Sequence, residues 1–222
     1  MESKVFQSSR YEQPDLDRNV VLQFQSILLS YPELYERLLL LKSLHPNAYL
    51  AAGVIRNLVW SHLHQQHYSI DFTEIDVVYF EIKDQSSREQ QRLAQALTQY
   101  FPNNQWDVVN QADVHHWYKN EQGQSISPFC SLHAALAGWP ETATAVAVRL
   151  VDQDEVSDPV LDIVTPFGLN DLMHLTLRWN PALVSHHTFM SRLTSKRFLQ
   201  RWPHLILTQP NDDDGGVETT MQ

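Results

Sequence analysis

Thr73-Glu74-Ile75-Asp76-Val77-Val78-Tyr79-Phe80 is the stretch on which the reading of this chain turns. From Ile75 onward it is rich in β-branched and aromatic residues, which predicts a strand. Side chains two apart on a strand share a face, so Glu74 and Asp76 point the same way, roughly 7 Å apart along the backbone. Two adjacent anions repel unless a cation joins them. A divalent metal answers that need, because magnesium takes one or two carboxylates together with the phosphates of a substrate. The plainer alternative is a solvated Glu74 at a strand end and an Asp76 that caps a turn.

Upstream lies a short apolar run, Ala48 to Ala52, followed by Gly53-Val54-Ile55-Arg56-Asn57. Gly53 is one of only six glycines in the chain. A strand that turns sharply into a helix needs such a residue, and a helix N-terminus binds phosphate. A glycine that merely packs a helix is the competing explanation. Val54 to about Gln66 has helical spacing, with Ile55, Leu58, Val59 and Leu63 on one face. Downstream, Ser86 to Tyr100 reads as an amphipathic helix, and Trp106 to Val109 as the next strand. That strand sets Asp107 between two apolar residues, where an acid needs a partner or a wet cleft. Leu161-Asp162-Ile163 has the same form, so either Asp107 or Asp162 completes a trio of carboxylates; the spacing favours Asp107.

The remaining segments alternate between helix and strand. Helices are predicted over Leu16 to Ser30, 32 to 44, 112 to 120, Pro128 to Gly138, Gly168 to His174 and His187 to Arg201. Thr144 to Val151 and Val160 to Val164 read as an antiparallel pair of strands, and Glu121 to Ser127 as a polar loop. This pattern argues for a mixed α/β or α+β sheet. Residues 1 to 15 read as a mobile arm, 16 to 205 as one domain and 206 to 222 as a disordered acidic tail.

The chain has 222 residues, 43% of them hydrophobic, and a formal net charge of −10. The acidic balance removes any general attraction to long nucleic acid or to an anionic membrane. There is no apolar signal core and no run long enough to span a bilayer. The single cysteine, Cys130, excludes an internal disulfide and fits a cytosolic protein; it reads as a buried core residue. The histidines lack strong zinc spacing, and no G-x-S-x-G elbow supports a serine hydrolase. Asn110 and Gln111 follow the Asp107 strand and either contact a base or ribose or simply end the strand. Arg149 sits on a strand and faces either a cleft or the surface.

The order of glycine turn, helix, acid-x-acid strand, helix and single-acid strand resembles the nucleotidyltransferase fold of the DNA polymerase β superfamily. The words AGVIRN, EIDVVYFE, WDVVNQADVHHWY, WPETATAVAVRL and PFGLNDL resemble, more closely, a bacterial nucleotidyltransferase-like family. The match runs from about residue 40 to about 203. The resemblance implies an α+β fold: a small mixed sheet with helices packed on it, extended by N- and C-terminal helices. It implies metal-dependent transfer of a nucleotidyl group from a nucleoside triphosphate to an acceptor: a small molecule, a protein or an RNA. Glu74, Asp76 and Asp107 then hold magnesium or manganese, with Asp162 in reserve for the third place. Gly53, Arg56, Asn57 and Asn110 face the nucleotide, and residues 110 to 127 border the acceptor. The family's glycine motif places Val54 where glycine or serine is usual, which either weakens the phosphate site or passes its work to Arg56 and Asn57. The alternative is a catalytically inactive member that binds a nucleotide, an RNA or a protein.

Overall fold

The computed structural model describes residues 16–83, 87–151 and 159–208. The proposed N-terminal arm, the segment 152–158 and nearly all of the C-terminal tail lie outside those residues. Two helices open the chain, α1 (Arg18–Leu29) and α2 (Pro32–Leu44). Asp17 caps α1 by accepting from the Asn19 amide at 2.8 Å, and Pro32 opens α2 at its first turn, where a missing N–H costs nothing.

The central sheet uses β1 (Tyr49–Ala51), β2 (Glu74–Tyr79), β3 (Gln105–Asn110), β4 (Ala147–Val151) and β5 (Val160–Val164), in the order β3-β2-β1-β4-β5. Only β2 and β3 are parallel; the crossover between them is α4 (Arg88–Tyr100). The other three pairings are antiparallel. The helix α3 (Gly53–Leu63) joins β1 to β2.

Period-two alternation sorts the strand residues onto two faces. Leu50, Ile75, Val77, Tyr79, Val108, Val148, Leu150, Leu161 and Ile163 point into the main core with α1 to α4. Tyr49, Ala51, Val78, Ala147 and Val164 face the other way, where they meet the short α6 (Leu132–Leu136) and Trp139. Asp76 and Asp107 have the parity of this second face. The apolar and the acidic positions of one strand are thus separated by the pleat alone.

The C-terminal part closes over one end of the sheet. The short α7 (Asn170–Met173) is followed by β6 (Thr176–Leu177), α8 (His186–Lys196), α9 (Phe198–Arg201) and β7 (Ile206–Leu207), which pairs parallel with β6. One continuous helix is expected over 187 to 201. Instead the chain breaks at Arg197, which takes the left-handed conformation with φ 55°. The break turns Phe198 and Trp202 inward against Trp60 of α3, with ring centroids 5.8 and 5.3 Å away. Trp202 donates to Ser61 Oγ at 3.1 Å and Trp60 to the Leu172 carbonyl at 3.2 Å, so neither buried indole is left unpaired. Helix α6 is also shorter than its sequence suggests, because Ser131 caps it from Ala134 N–H at 3.1 Å.

Candidate active site

The register of the sheet builds the site. Ala51 of β1 pairs with Asp76 of β2, which pairs with Asp107 of β3. The three residues form one row across three strands, roughly 4.8 Å apart from strand to strand. Because β1 ends at Ala51 and α3 begins at Gly53, the start of that helix falls beside Asp76. The Gly53 amide donates to Asp76 Oδ2 at 3.4 Å.

Gly53 itself does not carry the unusual backbone. Ala52 does, with φ 52° and ψ −117°, a region that residues with a Cβ seldom enter. The small-residue turn is therefore Ala52-Gly53, one place earlier than the sequence words suggest. Val54 is fully buried in the main core and lines neither cavity of the cleft, so it crowds no ligand. A Cβ at Gly53 would lie 3.7 Å from Asp76 Oδ2, an ordinary van der Waals contact, so packing against Asp76 does not by itself require glycine there. Ala52→Gly is expected to raise stability by about 1 kcal/mol, the relief of left-handed strain less the added entropy of the unfolded chain. Equilibrium urea unfolding measures this, and an unchanged or lower midpoint would count against strain at Ala52.

Two cavities meet at this row. One, of about 490 Å³, is lined by Ala52, Gly53, Arg56, Asn57, Thr73, Glu74 and Asp76 on one side, and by Thr144, Arg192, Lys196 and Arg201 on the other. The second, of about 250 Å³, holds Asp76 and Asp107 among mostly apolar walls, including Val78, Val109, Trp117, Tyr118 and Phe129. Asp76, Trp139 and Pro140 border both. Glu74 borders only the first and Asp107 only the second. The carboxylates thus run in order from one cavity to the other, with Asp76 at the divide.

Burial pushes the Asp76 carboxyl up to about 6, and the nearby charges of Asp107 and Glu74 add to it; the Gly53 amide and Arg56 pull the other way. Burial and Glu74 also raise Asp107. Among the described residues, no three His, Cys, Asp or Glu side chains are gathered into a metal cage by themselves. The donor set nevertheless fits a hard divalent cation completed by substrate oxygens: all its donors are oxygens, they share one face, and burial together with their mutual repulsion lifts the central one.

Arg56 is buried and fixed. Its Nη1 donates to Thr144 Oγ1 at 2.8 Å, its Nη2 to Asn57 Oδ1 at 2.9 Å, and its guanidinium lies 4.4 Å over the Phe198 ring. Burial lowers it to about 10, against the attraction of Glu141, and it still carries its charge at neutral pH. Asn57 is held by this contact and by Tyr68 at 3.4 Å. Asn110 is brought into neither cavity: it is fully buried, donates to the Glu81 carbonyl at 2.8 Å, and caps the turn after β3 through the Ala112 amide at 3.2 Å. Gln111 does line the smaller cavity. Asp162 stands at the far edge of the sheet, three strands from Asp76, bound to Arg149 at 2.9 Å and to the Tyr49 hydroxyl at 2.8 Å. Asp107 is the carboxylate beside Asp76. Arg149 accordingly serves Asp162, not the cleft. Cys130 is exposed, which corrects its reading as a core residue: it lies just ahead of α6, outside the shortened helix.

Sequence reasoning missed Arg192, Lys196 and Arg201. They come from α8 and α9, more than 110 residues beyond the carboxylate strand, and no local pattern ties them to it. Arg192 is anchored by the fully buried Glu141, with Nε 2.8 Å from Oε1. Neither Lys196 nor Arg201 is paired with a carboxylate among the described residues.

The result is an α+β fold: a mixed five-stranded sheet with carboxylates on adjacent parallel strands, beside a helix start and a cavity with basic residues. The chain belongs to the nucleotidyltransferase family, whose pattern residues 41–207 match. It is similar to a protein solved by NMR and described as a CCA-adding enzyme head domain: 27% identity over 84% of this chain and 96% of that one, TM-score 0.65. It also shares the fold of a CCA-adding enzyme in an apo form, at 15% identity and TM-score 0.52; the match covers 83% of this chain and 44% of that enzyme. No curated protein matches the sequence. No helix among the described residues is long and apolar enough to cross a membrane.

Proposed function

We propose that this chain is a metal-dependent nucleotidyltransferase that uses a nucleoside triphosphate. The observation that carries the reading is the place of Asp76, between a basic cavity and an apolar one. Triphosphate fits the basic side. Ala52 offers the start of α3 no side-chain cap, so apart from the Gly53 amide, which donates to Asp76, the amides of its first turn can meet phosphate oxygens. Arg56 supplies fixed charge beneath them, and Arg192, Lys196 and Arg201 supply it from above. Glu74, Asp76 and Asp107 would hold magnesium or manganese, which when bound neutralises phosphate charge and polarises the reacting oxygens. Asp107, on the side away from the basic cavity, accepts the proton of an acceptor hydroxyl or amine. The acceptor atom bonds to the α-phosphorus, the bond to the β-phosphate oxygen breaks, and pyrophosphate leaves toward Arg192, Lys196 and Arg201. Membership of the family and the similarity to a CCA-adding head domain support the reaction class.

Thermal unfolding tests this. With magnesium or manganese, at least one of ATP, GTP, CTP and UTP is expected to raise the midpoint by about 5 to 10 °C at a hundredfold excess over Kd. Without metal the shift should largely vanish. A shift that persists unchanged in Asp76→Asn with Asp107→Asn, or no shift with any triphosphate, would overturn the reading.

A further inference from the structure

The smaller cavity lies on the Asp107 side of Asp76. It is assembled from separate parts of the chain: β2 and β3, α5 (Val114–Trp117) with Tyr118 at its end, Phe129, Ala135 and Gly138 to Pro140 around α6, and Leu183-Val184 before α8. No lysine or arginine lines it. Its charged groups are Asp76 and Asp107. Apart from the divalent ion that these carboxylates would hold for the nucleotide, a polyanion in this cavity would meet no cationic side chain, the reverse of what recognition of an extended phosphodiester chain needs. The walls are apolar and aromatic, and Trp117 is 61% exposed despite its size, leaving an indole unpacked at the cavity. At about 250 Å³ the space suits one ring with a short substituent.

Gly138 sets the size. A Cβ there would come within 2.7 Å of Leu183 Cδ1 and 3.3 Å of the Ala135 carbonyl oxygen. Leu183 and Gly138 both line the cavity, so any side chain at 138 drives Leu183 out of its place in the wall. The bareness of Gly138 is what keeps the pocket in its present shape.

We propose that the acceptor is a small aromatic group, neutral or cationic, whose hydroxyl or amine is presented to Asp107, and that Trp117 and Gly138 determine its selection. This rests on the nucleotide reading above. The acceptor O–H or N–H loses its proton to the Asp107 carboxylate as the oxygen or nitrogen bonds to the α-phosphorus; pyrophosphate leaves, and the product is the aromatic nucleotidyl ester or amidate.

The test measures binding by saturation-transfer NMR at neutral pH in the presence of magnesium. The probes are tyramine, a Gly-Tyr-Gly amide peptide, phenyl phosphate and a short RNA with a free terminal diol. Ring protons of tyramine or of the peptide are expected to receive saturation, and the tighter of the two says whether the ring arrives free or on a chain. Trp117→Ala should weaken that binding roughly tenfold, the size of one lost aromatic stacking contact. Gly138→Ala should do the same through Leu183. Since Trp117 is mostly exposed, its variant keeps the fold even if the Gly138 variant does not. The triphosphate-induced thermal shift should be unchanged in Trp117→Ala. If the shift is intact but neither tyramine nor the peptide binds, or if phenyl phosphate or RNA binds more tightly, the acceptor proposal is overturned and the nucleotide reading stands. If wild-type protein shows no triphosphate shift, both fall.

Discussion

Asp76→Asn is expected to stabilise the metal-free protein while abolishing nucleotidyl transfer. The reason is that the folded state penalises the charge of Asp76. Its carboxyl rises from 3.8 to about 6, first through burial and then through Asp107 and Glu74. A carboxyl raised on folding binds more protons in the native than in the unfolded state, so its contribution is favourable below pH 4. It is lost as pH rises through about 6. At neutral pH the ionised group costs roughly 2 to 3 kcal/mol, which an uncharged amide of the same shape removes. The amide oxygen can still accept from Gly53. The midpoint of thermal unfolding should rise by about 4 to 12 °C at pH 7 without metal, and by little at pH 4. In wild-type protein the same linkage makes the Asp76 contribution to metal-free stability fall from pH 4 to pH 7, while the stabilisation by magnesium is expected to grow over that interval. A variant that is less stable than wild type at pH 7 would show that Asp76 serves the fold more than the reaction.

Arg192→Ala is expected to cost about 3 kcal/mol of stability and to weaken triphosphate binding together. Glu141 has no exposed surface, and its side chain is held by Arg192 through contacts of 2.8 and 3.4 Å. Removing the guanidinium leaves a buried carboxylate whose remaining attraction is to Arg56. For a chain of this size the midpoint should fall by roughly 6 to 12 °C. Adding Glu141→Gln to Arg192→Ala should restore a good part of that loss, since it removes the stranded charge, yet leave triphosphate binding weak. The double-mutant cycle separates the two roles. If the losses of the single changes simply add, the pair is not a unit, and Arg192 belongs to the cleft only.

These two expectations also show how the site is made. Opposite demands are met around one cavity: an anion that folding disfavours, and a cation that folding holds by burying its partner. Both leave charge facing the cleft.

What could be seen in the sequence was whatever the local backbone period encodes. Glu74 and Asp76 share a face because strands alternate. Asp107 joins them because the helix between, now α4, returns a parallel strand beside β2. The family words place the chain in its family for the same reason, since those words are the strand and turn residues themselves. The arrangement of strands and helices was therefore mostly legible in the one-dimensional pattern.

Other features depended on contacts between distant segments, which no local period records. Asp107 and Asp162 have the same apolar-acid-apolar form, and only the strand order separates them, with β5 at the far edge satisfied by Arg149. Asn110 looked like a nucleotide contact and is a buried turn cap, because the cost of an unpaired amide in the core outweighs its closeness to Asp107 in sequence. The unusual backbone fell on Ala52 because β1 must leave the sheet one residue before the helix axis begins. The break at Arg197, forced by packing Phe198 and Trp202 on Trp60, carries Arg192, Lys196 and Arg201 over the carboxylates. The sequence by itself determined which residues can bear this chemistry and on which face of a strand they stand. Tertiary structure decided which of them meet, because burial and strand order act between segments that are neighbours only after the chain has folded.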